Sequence, residues 1–307
     1  MHKILHSLKL LIRDLPWMHR LHLKMYKFLV KTLPKKITLK IDNQKIKVLT
    51  SDYGLSRRLI LFGEHVPAVT NFMKDKIKDG MVVVDVGANI GYNTLLASKR
   101  VNNGKVYAFE PDPRCYELLT DNIKINNYHN TICDPRALAE TYGNFSIYLD
   151  EHHLSSTTIS KQNLQNNLGN NNTFGGKIEV EKITLDDYFN EISESRSVDF
   201  LKMNIQGAEG LVIAGSKNTI KKSNNMIILT EFWISGLKSC GTDPKKLLLE
   251  IKSLGFELYP VKGLGEGFYE GIDNDENYTI YNLIDFVENP VNQKHDGMHL
   301  AFKKLNN

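Results

Sequence analysis

The sequence lacks the features that mark secreted, thiolate-metal and membrane-spanning proteins. Its 307 residues include three cysteines, Cys115, Cys133 and Cys240, with no CxxC pair. Neither a disulfide framework nor a thiolate zinc site is therefore indicated, and a reducing compartment fits best. Apolar runs near the N terminus, at 10–12 and 28–30, are too short for a secretory signal or a membrane span. These absences predict a cytoplasmic protein.

The chain also has little net charge, and that charge is unevenly distributed. The formal charge is +4, but positions 1–36 hold nine Lys and Arg against one acid, Asp14. This leaves 30 of the 39 basic and 34 of the 35 acidic residues for positions 37–307. A core with a slight excess of acid is not expected to bind nucleic acid.

Residues 1–36 carry apolar side chains at helical spacing, with Pro16 interrupting the pattern. They predict two amphipathic helices with basic outer faces, and two interpretations stay open. We favour a cap packed on the core, because an apolar helical stripe usually reflects tertiary packing. The alternative is peripheral contact between residues 1–36 and the anionic inner surface of a membrane.

After this segment, strand and helix patterns alternate along the chain. Residues 37–65 predict a hairpin and a lead-in, and residues 66–307 predict one α/β domain. Such alternation is typical of a Rossmann-like, mostly parallel, doubly wound sheet with helices on both faces. The composition of insert 152–176, rich in Asn, Gln and Gly, predicts a flexible loop.

The individual elements are predicted as follows. The predicted strands are 82–86, 105–110, 131–133, 144–149, 178–183, 198–204, 226–230, 255–259 and 299–303. The predicted helices are 66–79, 91–100, 113–126, a short helix capped by Thr184, 208–221 and a helix that begins after Asp243.

The clearest candidate site lies where the first buried strand ends. Gly87 and Gly91 stand four residues apart at the strand-to-helix turn, where absent side chains let a ligand reach backbone NH groups. Asn89 occupies the place of the middle glycine of a dinucleotide-binding loop, which leaves less room for a pyrophosphate. This weighs against an NAD-dependent oxidoreductase. S-adenosyl-L-methionine has no phosphate, and Asp85, Gly87 and Asn89 are expected to bind its amino-acid end.

A ribose needs a second carboxylate, and Glu110 offers one. It ends the second predicted strand, 23 residues after Gly87, where a doubly wound fold places its ribose-binding acid. With the other residues of the two turns, the predicted cofactor-binding set is Asp85, Gly87, Ala88, Asn89, Gly91, Asn93, Thr94, Glu110 and Pro111. The predicted cofactor is S-adenosyl-L-methionine.

Four ordered blocks of the sequence resemble the FkbM family of methyltransferases. They are VVVDVGANIGYNTLLAS, YAFEPDPRCYELLTDNIKINN, VDFLKMNIQGAEGLVIAG and the acid of IILTEF, and the resemblance as a whole covers about residues 60–260. The resemblance implies a class I methyltransferase fold. It also implies transfer of the S-adenosyl-L-methionine methyl group, usually to a hydroxyl oxygen of a sugar or a secondary metabolite.

The third block departs from the family pattern, Lys-x-Asp-Val/Ile-Glu/Asp-Gly-x-Glu, at two acids. Lys202 and Glu209 match it, but Asn204 and Gln206 replace carboxylates. The resemblance implies that Lys202, Asn204, Glu209 and Glu231 surround the acceptor. These separated acids and amides do not define a metal site. Because a hydroxyl nucleophile needs a base and an amide is a poor one, Glu209 or Glu231 is expected to receive the proton.

Two functional hypotheses follow for a small-molecule or glycan substrate. The first is O-methylation of a sugar hydroxyl on a glycan or a glycosylated metabolite. The second, motivated by Asn204 and Gln206, is a catalytically weak or inactive protein that binds S-adenosyl-L-methionine. His152 and His153 are interpreted as solvated loop residues. The hairpin, the insert and the Gly-rich loop 263–277 are predicted to select the substrate.

Overall fold

The computed structural model describes residues 26–28, 30–168, 174–193, 197–259, 279–289 and 297–305. Of the predicted N-terminal helices, only residues 26–28 are described as helical. Residues 30–35 form turns and bends and Lys36 begins a strand, while residues 1–25 and 29 and the loop 263–277 lie outside the described residues. None of the helices within these ranges is long and apolar enough to cross a bilayer.

The core of the described chain is a seven-stranded sheet. In spatial order its strands are β11 (Phe256–Leu258), β12 (Gly297–Lys304), β10 (Ile227–Trp233), β9 (Phe200–Met203), β3 (Val82–Val86), β4 (Lys105–Phe109) and β5 (Thr131–Asp134). Strand β12 runs antiparallel to both of its neighbours, and the other pairs are parallel. The strand order reverses between β3 and β9, and ligands of such sheets bind at the carboxyl ends of the strands beside that reversal. The predicted α/β fold is confirmed.

Helices pack on both faces of this sheet. The helices of the described residues are α1 (Leu55–Phe62), α2 (Pro67–Lys76), α3 (Tyr92–Val101), α4 (Pro113–Ile125), α5 (Lys161–Leu168), α6 (Leu185–Glu191), α7 (Glu209–Ala214), α8 (Lys217–Lys222), α9 (Ile234–Ser239), α10 (Pro244–Ser253) and α11 (Ile280–Glu288). Thr184 and Asp243 cap α6 and α10 through their side chains, as their spacing predicts. The single helix predicted over 208–221 is instead two, because Gly215 packs so close that a Cβ there would lie 2.0 Å from the carbonyl oxygen of Ala139.

The predicted hairpin forms from β1 (Lys36–Ile41) and β2 (Gln44–Leu49). Its turn residues Asp42 and Asn43 have φ of 48° and 65°, the left-handed geometry of a tight hairpin turn. The hairpin is tied to α4 by Asn122, which accepts a hydrogen bond from the Lys47 backbone NH and donates one to its carbonyl.

The insert is more ordered than its composition predicts. It holds a 3-10 turn at Leu154–Ser156 and helix α5, and β8 (Phe174–Ile183) already begins within it. Strand β8 pairs with β6 (Ala137–Leu138) and β7 (Gly143–Asp150) in a second sheet. The loop prediction failed because the amide of Asn163 is fully buried and donates to backbone carbonyls of other elements, whereas an Asn-rich segment is normally solvated.

Candidate functional site

The loop that follows β3 forms the centre of the site. Gly87, Asn89 and Gly91 have φ of 72°, 52° and 91°, so the chain turns through left-handed geometry before α3 begins. The NH groups of Gly87 and Ala88 both donate to the carbonyl of Phe109, at 3.0 Å each. A Cβ on Gly87 would lie 2.3 Å from the carbonyl oxygen of Asn204. Glycine therefore allows the loops after β3 and β9 to touch.

A cavity opens beside this loop, at the carboxyl ends of β3, β4 and β9. We call it the first pocket. Its apolar walls include Phe109, Pro111, Leu138, Phe145, Ile147 and Ile205, and its polar lining includes Asn89, Glu110, Ser155, Thr157, Asn204 and Gln206. Ser155 and Thr157 belong to the short hydroxyl-rich stretch at the start of the insert.

Glu110 is the acid of the first pocket. One carboxylate oxygen accepts the Asn89 NH at 2.7 Å and the other accepts the Asp112 NH at 2.9 Å. Burial raises the pKa of Glu110 to about 7, and repulsion from Asp112 adds to this effect. A carboxylate oxygen can accept more than one hydrogen bond, so Glu110 retains acceptor capacity for the two hydroxyls of a ribose.

The first pocket fits S-adenosyl-L-methionine better than a dinucleotide. No lysine or arginine is among the described residues that line it, and its one charged side chain is an acid. A pyrophosphate would meet no countercharge there and would face Glu110. The same acid suits a ligand that carries hydroxyl, ammonium and sulfonium groups.

Asp85 and Thr94 lie beneath the loop and line neither pocket, although direct cofactor contact is the prediction for both. Asp85 is fully buried, with one oxygen 2.8 Å from the Lys202 ammonium and the other accepting the Thr94 hydroxyl at 2.7 Å. Lys202 also donates to the carbonyl of Gly87 at 2.9 Å. Because Asp85 and Lys202 are paired across β3 and β9, the carboxylate is used to hold the loop. Gly91 caps α3, and a Cβ there would lie 2.9 Å from Leu119.

A second pocket lies on the other side of the same loop. It shares Gly87, Asn89, Ser155 and Asn204 with the first pocket, so the two cavities meet at these residues. Its other lining residues are Leu55, His65, Val66, Val69, Ala88, Tyr92, Asn93, Lys202, Met203, Leu229 and His299. The lining of the second pocket therefore includes both hydrogen-bonding and apolar side chains.

The loop after β9 brings the amides and acids of the third sequence block together. Gln206 donates through its amide to Glu231 at 3.0 Å and lies 3.5 Å from the amide oxygen of Asn204. Glu209, the first residue of α7, accepts the NH of Ile205 at 3.0 Å. Burial raises the pKa of Glu209 to about 7 and that of Glu231 to about 8, where repulsion from Glu209 also contributes. Glu209 and Glu231 line neither pocket, unlike Asn204.

Sequence reasoning missed two histidines of the second pocket. His65 lies between α1 and α2, and His299 lies on β12, directly opposite Glu231 on β10. Burial lowers the pKa of His65 to about 3 and that of His299 to about 4, and the charge of Lys202 contributes to both. Neither histidine belongs to a sequence motif. Their proximity to each other becomes visible only in the structure, where the antiparallel β12 brings His299 into the pocket that His65 lines.

His152 and His153 are packed and not solvated as predicted. The two rings lie with their centroids 4.9 Å and 6.1 Å from that of Tyr53, and neither lines a pocket described above. Over the described ranges, no three His, Cys, Asp or Glu side chains form a group that would hold a metal ion.

Comparisons with known proteins point to one enzyme family. A family model described as the methyltransferase FkbM domain matches residues 85–258. Methyltransferase sdnD of Sordaria araneosa is 26% identical over 178 residues, which are 50% of this chain and 66% of that protein. 2-O-methyltransferase NoeI of Sinorhizobium fredii is 29% identical over 193 residues, 58% of this chain and 77% of that protein. Hexuronic acid methyltransferase AglP of Haloferax volcanii is 25% identical over 188 residues, 60% of this chain and 68% of that protein.

Proposed function

Because the chain belongs to the FkbM family of methyltransferases and its cofactor is S-adenosyl-L-methionine, we propose that it methylates a sugar hydroxyl of a glycan or glycosylated metabolite. One observation carries the proposal: two pockets of different character meet at Gly87 and Asn204. The first suits an adenosyl group, and the second presents several hydrogen-bonding groups to an acceptor. The relatives NoeI and AglP, named as a 2-O-methyltransferase and a hexuronic acid methyltransferase, support a sugar acceptor.

In this proposal the cofactor-binding residues act in two groups. Gly87, Asn89, Glu110 and Pro111 contact the cofactor in the first pocket, where Glu110 binds the ribose hydroxyls, and Ala88 and Asn93 continue the same loop into the second pocket. Asp85, Gly91 and Thr94 instead fix the loop from below, because a loop held by a buried ion pair is preorganised for binding. When bound, S-adenosyl-L-methionine supplies an electrophilic methyl group on a sulfonium.

The residues of the third block hold and orient the acceptor. Asn204 lies where the pockets meet, so its amide is placed to hydrogen-bond the acceptor and direct the reacting oxygen toward the first pocket. Lys202 fixes the loop from within the second pocket. Glu209 orders the turn from Ile205, and Gln206 holds Glu231. Holding two reactants close and in line supplies much of the acceleration in such reactions.

A panel assay tests this function. The protein is incubated with S-adenosyl-L-methionine and hexuronic acids, methyl glycosides or nucleotide sugars, and S-adenosylhomocysteine and methylated sugar are measured by mass spectrometry. We expect product with at least one sugar class. Asn204→Ala should lower kcat roughly 10- to 100-fold through lost orientation, and Asn144→Ala, an exposed position on β7, should not. Cofactor binding without turnover of any sugar would instead support the catalytically inactive binding protein that Asn204 and Gln206 suggest.

A further inference from the structure

We propose that His299 is the general base of the reaction: its imidazole accepts the proton that the acceptor hydroxyl loses in the second pocket. This inference rests on the proposed O-methylation. The sequence predicts that Glu209 or Glu231 receives this proton, and the proposal assigns it to His299 instead.

The position of His299 follows from the direction of β12. Every other strand that ends at the site is parallel and contributes its carboxyl end, but β12 is antiparallel and begins there. His299 is therefore near the start of its strand, paired with Glu231, and lines the second pocket together with Asn204. Paired residues of antiparallel strands project from the same face of a sheet.

The other candidate bases are less suitable. Glu209 accepts a backbone NH and lines neither pocket, and Glu231 is held by Gln206 outside both linings. Asn204 is an amide, which is a very weak base. His65 lines the second pocket, but its Nδ1 is buried without a hydrogen-bond partner among the described residues. Its charged form would also face Arg58 in addition to Lys202, whereas of these two cations only Lys202 acts on His299.

The electrostatic surroundings keep His299 neutral until the reaction occurs. Burial and the Lys202 ammonium lower its pKa to about 4, so its ring nitrogen has a free lone pair at neutral pH. The charged and titratable groups around it are Lys202 on β9, Glu231 on β10 and His65 before α2.

A base this weak is sufficient, because the acceptor oxygen becomes acidic only as its bond to the methyl carbon forms. In that step the bond from the methyl carbon to sulfur breaks and the electron pair stays on sulfur, which becomes a neutral thioether. The acceptor O–H bond breaks with its electrons left on oxygen, which becomes an ether, and the proton passes to His299. One positive charge therefore disappears beside the loop and one appears on the imidazole.

This charge exchange predicts a measurable coupling between His299 and the ligand of the first pocket. In histidine-labelled protein, NMR titration should give His299 a higher pKa with S-adenosylhomocysteine bound than with sinefungin, which carries an ammonium near the methyl position. We expect a difference of about one pH unit, the effect of a nearby like charge, and none for the exposed His129. Equal His299 pKa values in the two complexes would overturn the inference. Because no acceptor is needed, this result is independent of the sugar assay.

Variants provide the second arm, with the sugar that gives product in the panel. His299→Gln should lower kcat about 10²- to 10⁴-fold, the usual contribution of a general base, and leave the affinity for S-adenosylhomocysteine unchanged. The matched control His129→Gln should keep full activity. Added imidazole should partly restore His299→Ala, which a merely structural role would not allow. A His299→Gln enzyme with kcat within twofold of the parent refutes the proposal even if the sugar assignment stands.

Discussion

At the scale of single residues, the site separates two carboxylates that the sequence treats alike. Glu110 follows β4 and lines the first pocket, whereas Asp85 lies inside β3 opposite Lys202. Asp85 is still paired with both neighbouring strands, whereas Glu110 lies one residue beyond the end of β4, where the chain leaves the sheet and lines the pocket. Asp85 therefore orders the loop, and Glu110 remains for the cofactor.

Glu110→Gln tests that division. The variant replaces one acceptor oxygen by an NH₂ group, which cannot accept from a backbone NH or a ribose hydroxyl. Since hydrogen bonds to charged groups contribute about 1.5–3 kcal/mol, we expect the Kd for S-adenosylhomocysteine in calorimetry to rise at least about tenfold. Glu117→Gln, an exposed acid on α4, is the control and should leave the Kd unchanged. An unaltered Kd for the Glu110 variant would contradict its assignment to the ribose.

Sequence reasoning found one side of this site and missed the other. Gly87, Asn89 and Glu110 were predictable because strand, turn and helix patterns occur next to each other along the chain. His65 and His299 were not, because their proximity depends on which edge strand is antiparallel and on how the loop before α2 packs. No local pattern encodes either feature.

At the scale of elements, buried strands were the most predictable parts of the fold. Strand β3 was predicted with its observed bounds, because a strand covered on both faces is an unbroken apolar run. Strand β10 extends three residues past its prediction, so Glu231 lies within the strand and not beyond its end. The insert 152–176 was predicted as a flexible loop, but part of it is helical. Its Asn-rich composition gives no sign that Asn163 is buried.

Helix α5 depends on that asparagine. Its amide donates to the carbonyls of Gln206 at 3.0 Å and Gly236 at 3.1 Å, which join the insert to the loop after β9. Asn163→Ala leaves both carbonyls buried without this donor. We expect it to lower the free energy of unfolding by about 1–3 kcal/mol and to speed amide hydrogen exchange in residues 204–207. Gln162→Ala, at the exposed neighbouring position, should change neither, and equal exchange in the two variants would exclude this coupling.

At the scale of the whole molecule, the buried acids and the buried histidines change the free energy of unfolding in opposite directions as pH rises. The pKa values of Glu110, Glu209 and Glu231 are raised from 4.5 to about 7, 7 and 8. The folded chain therefore holds more protons than the unfolded chain, and stability falls as pH rises through this range. His65 and His299 have lowered pKa values, so their contribution is lost only as pH falls below about 6.5.

Between pH 6.5 and pH 8 the three acids dominate the change in stability that these five groups produce, and the histidines oppose it slightly as the unfolded imidazoles lose their remaining protons. We expect the free energy of unfolding of the cofactor-free protein, from urea titrations, to fall by about 2 kcal/mol across this interval, since one proton corresponds to about 1.4 kcal/mol per pH unit. Glu231→Gln should flatten the decrease, because this acid has the highest of the three pKa values. Glu117→Gln should not. A stability that rises over the same interval would show that these acids are ionised in the folded chain.

The antiparallel strand β12 also sets an order of events during synthesis. Residues 82–110 and 137–159, which form most of the first pocket, leave the ribosome long before residues 297–304. A nascent chain can thus assemble much of its cofactor site while the strand that carries His299 is still missing. Competence to bind and competence to react are acquired separately, and the second waits for the last strand of the sheet.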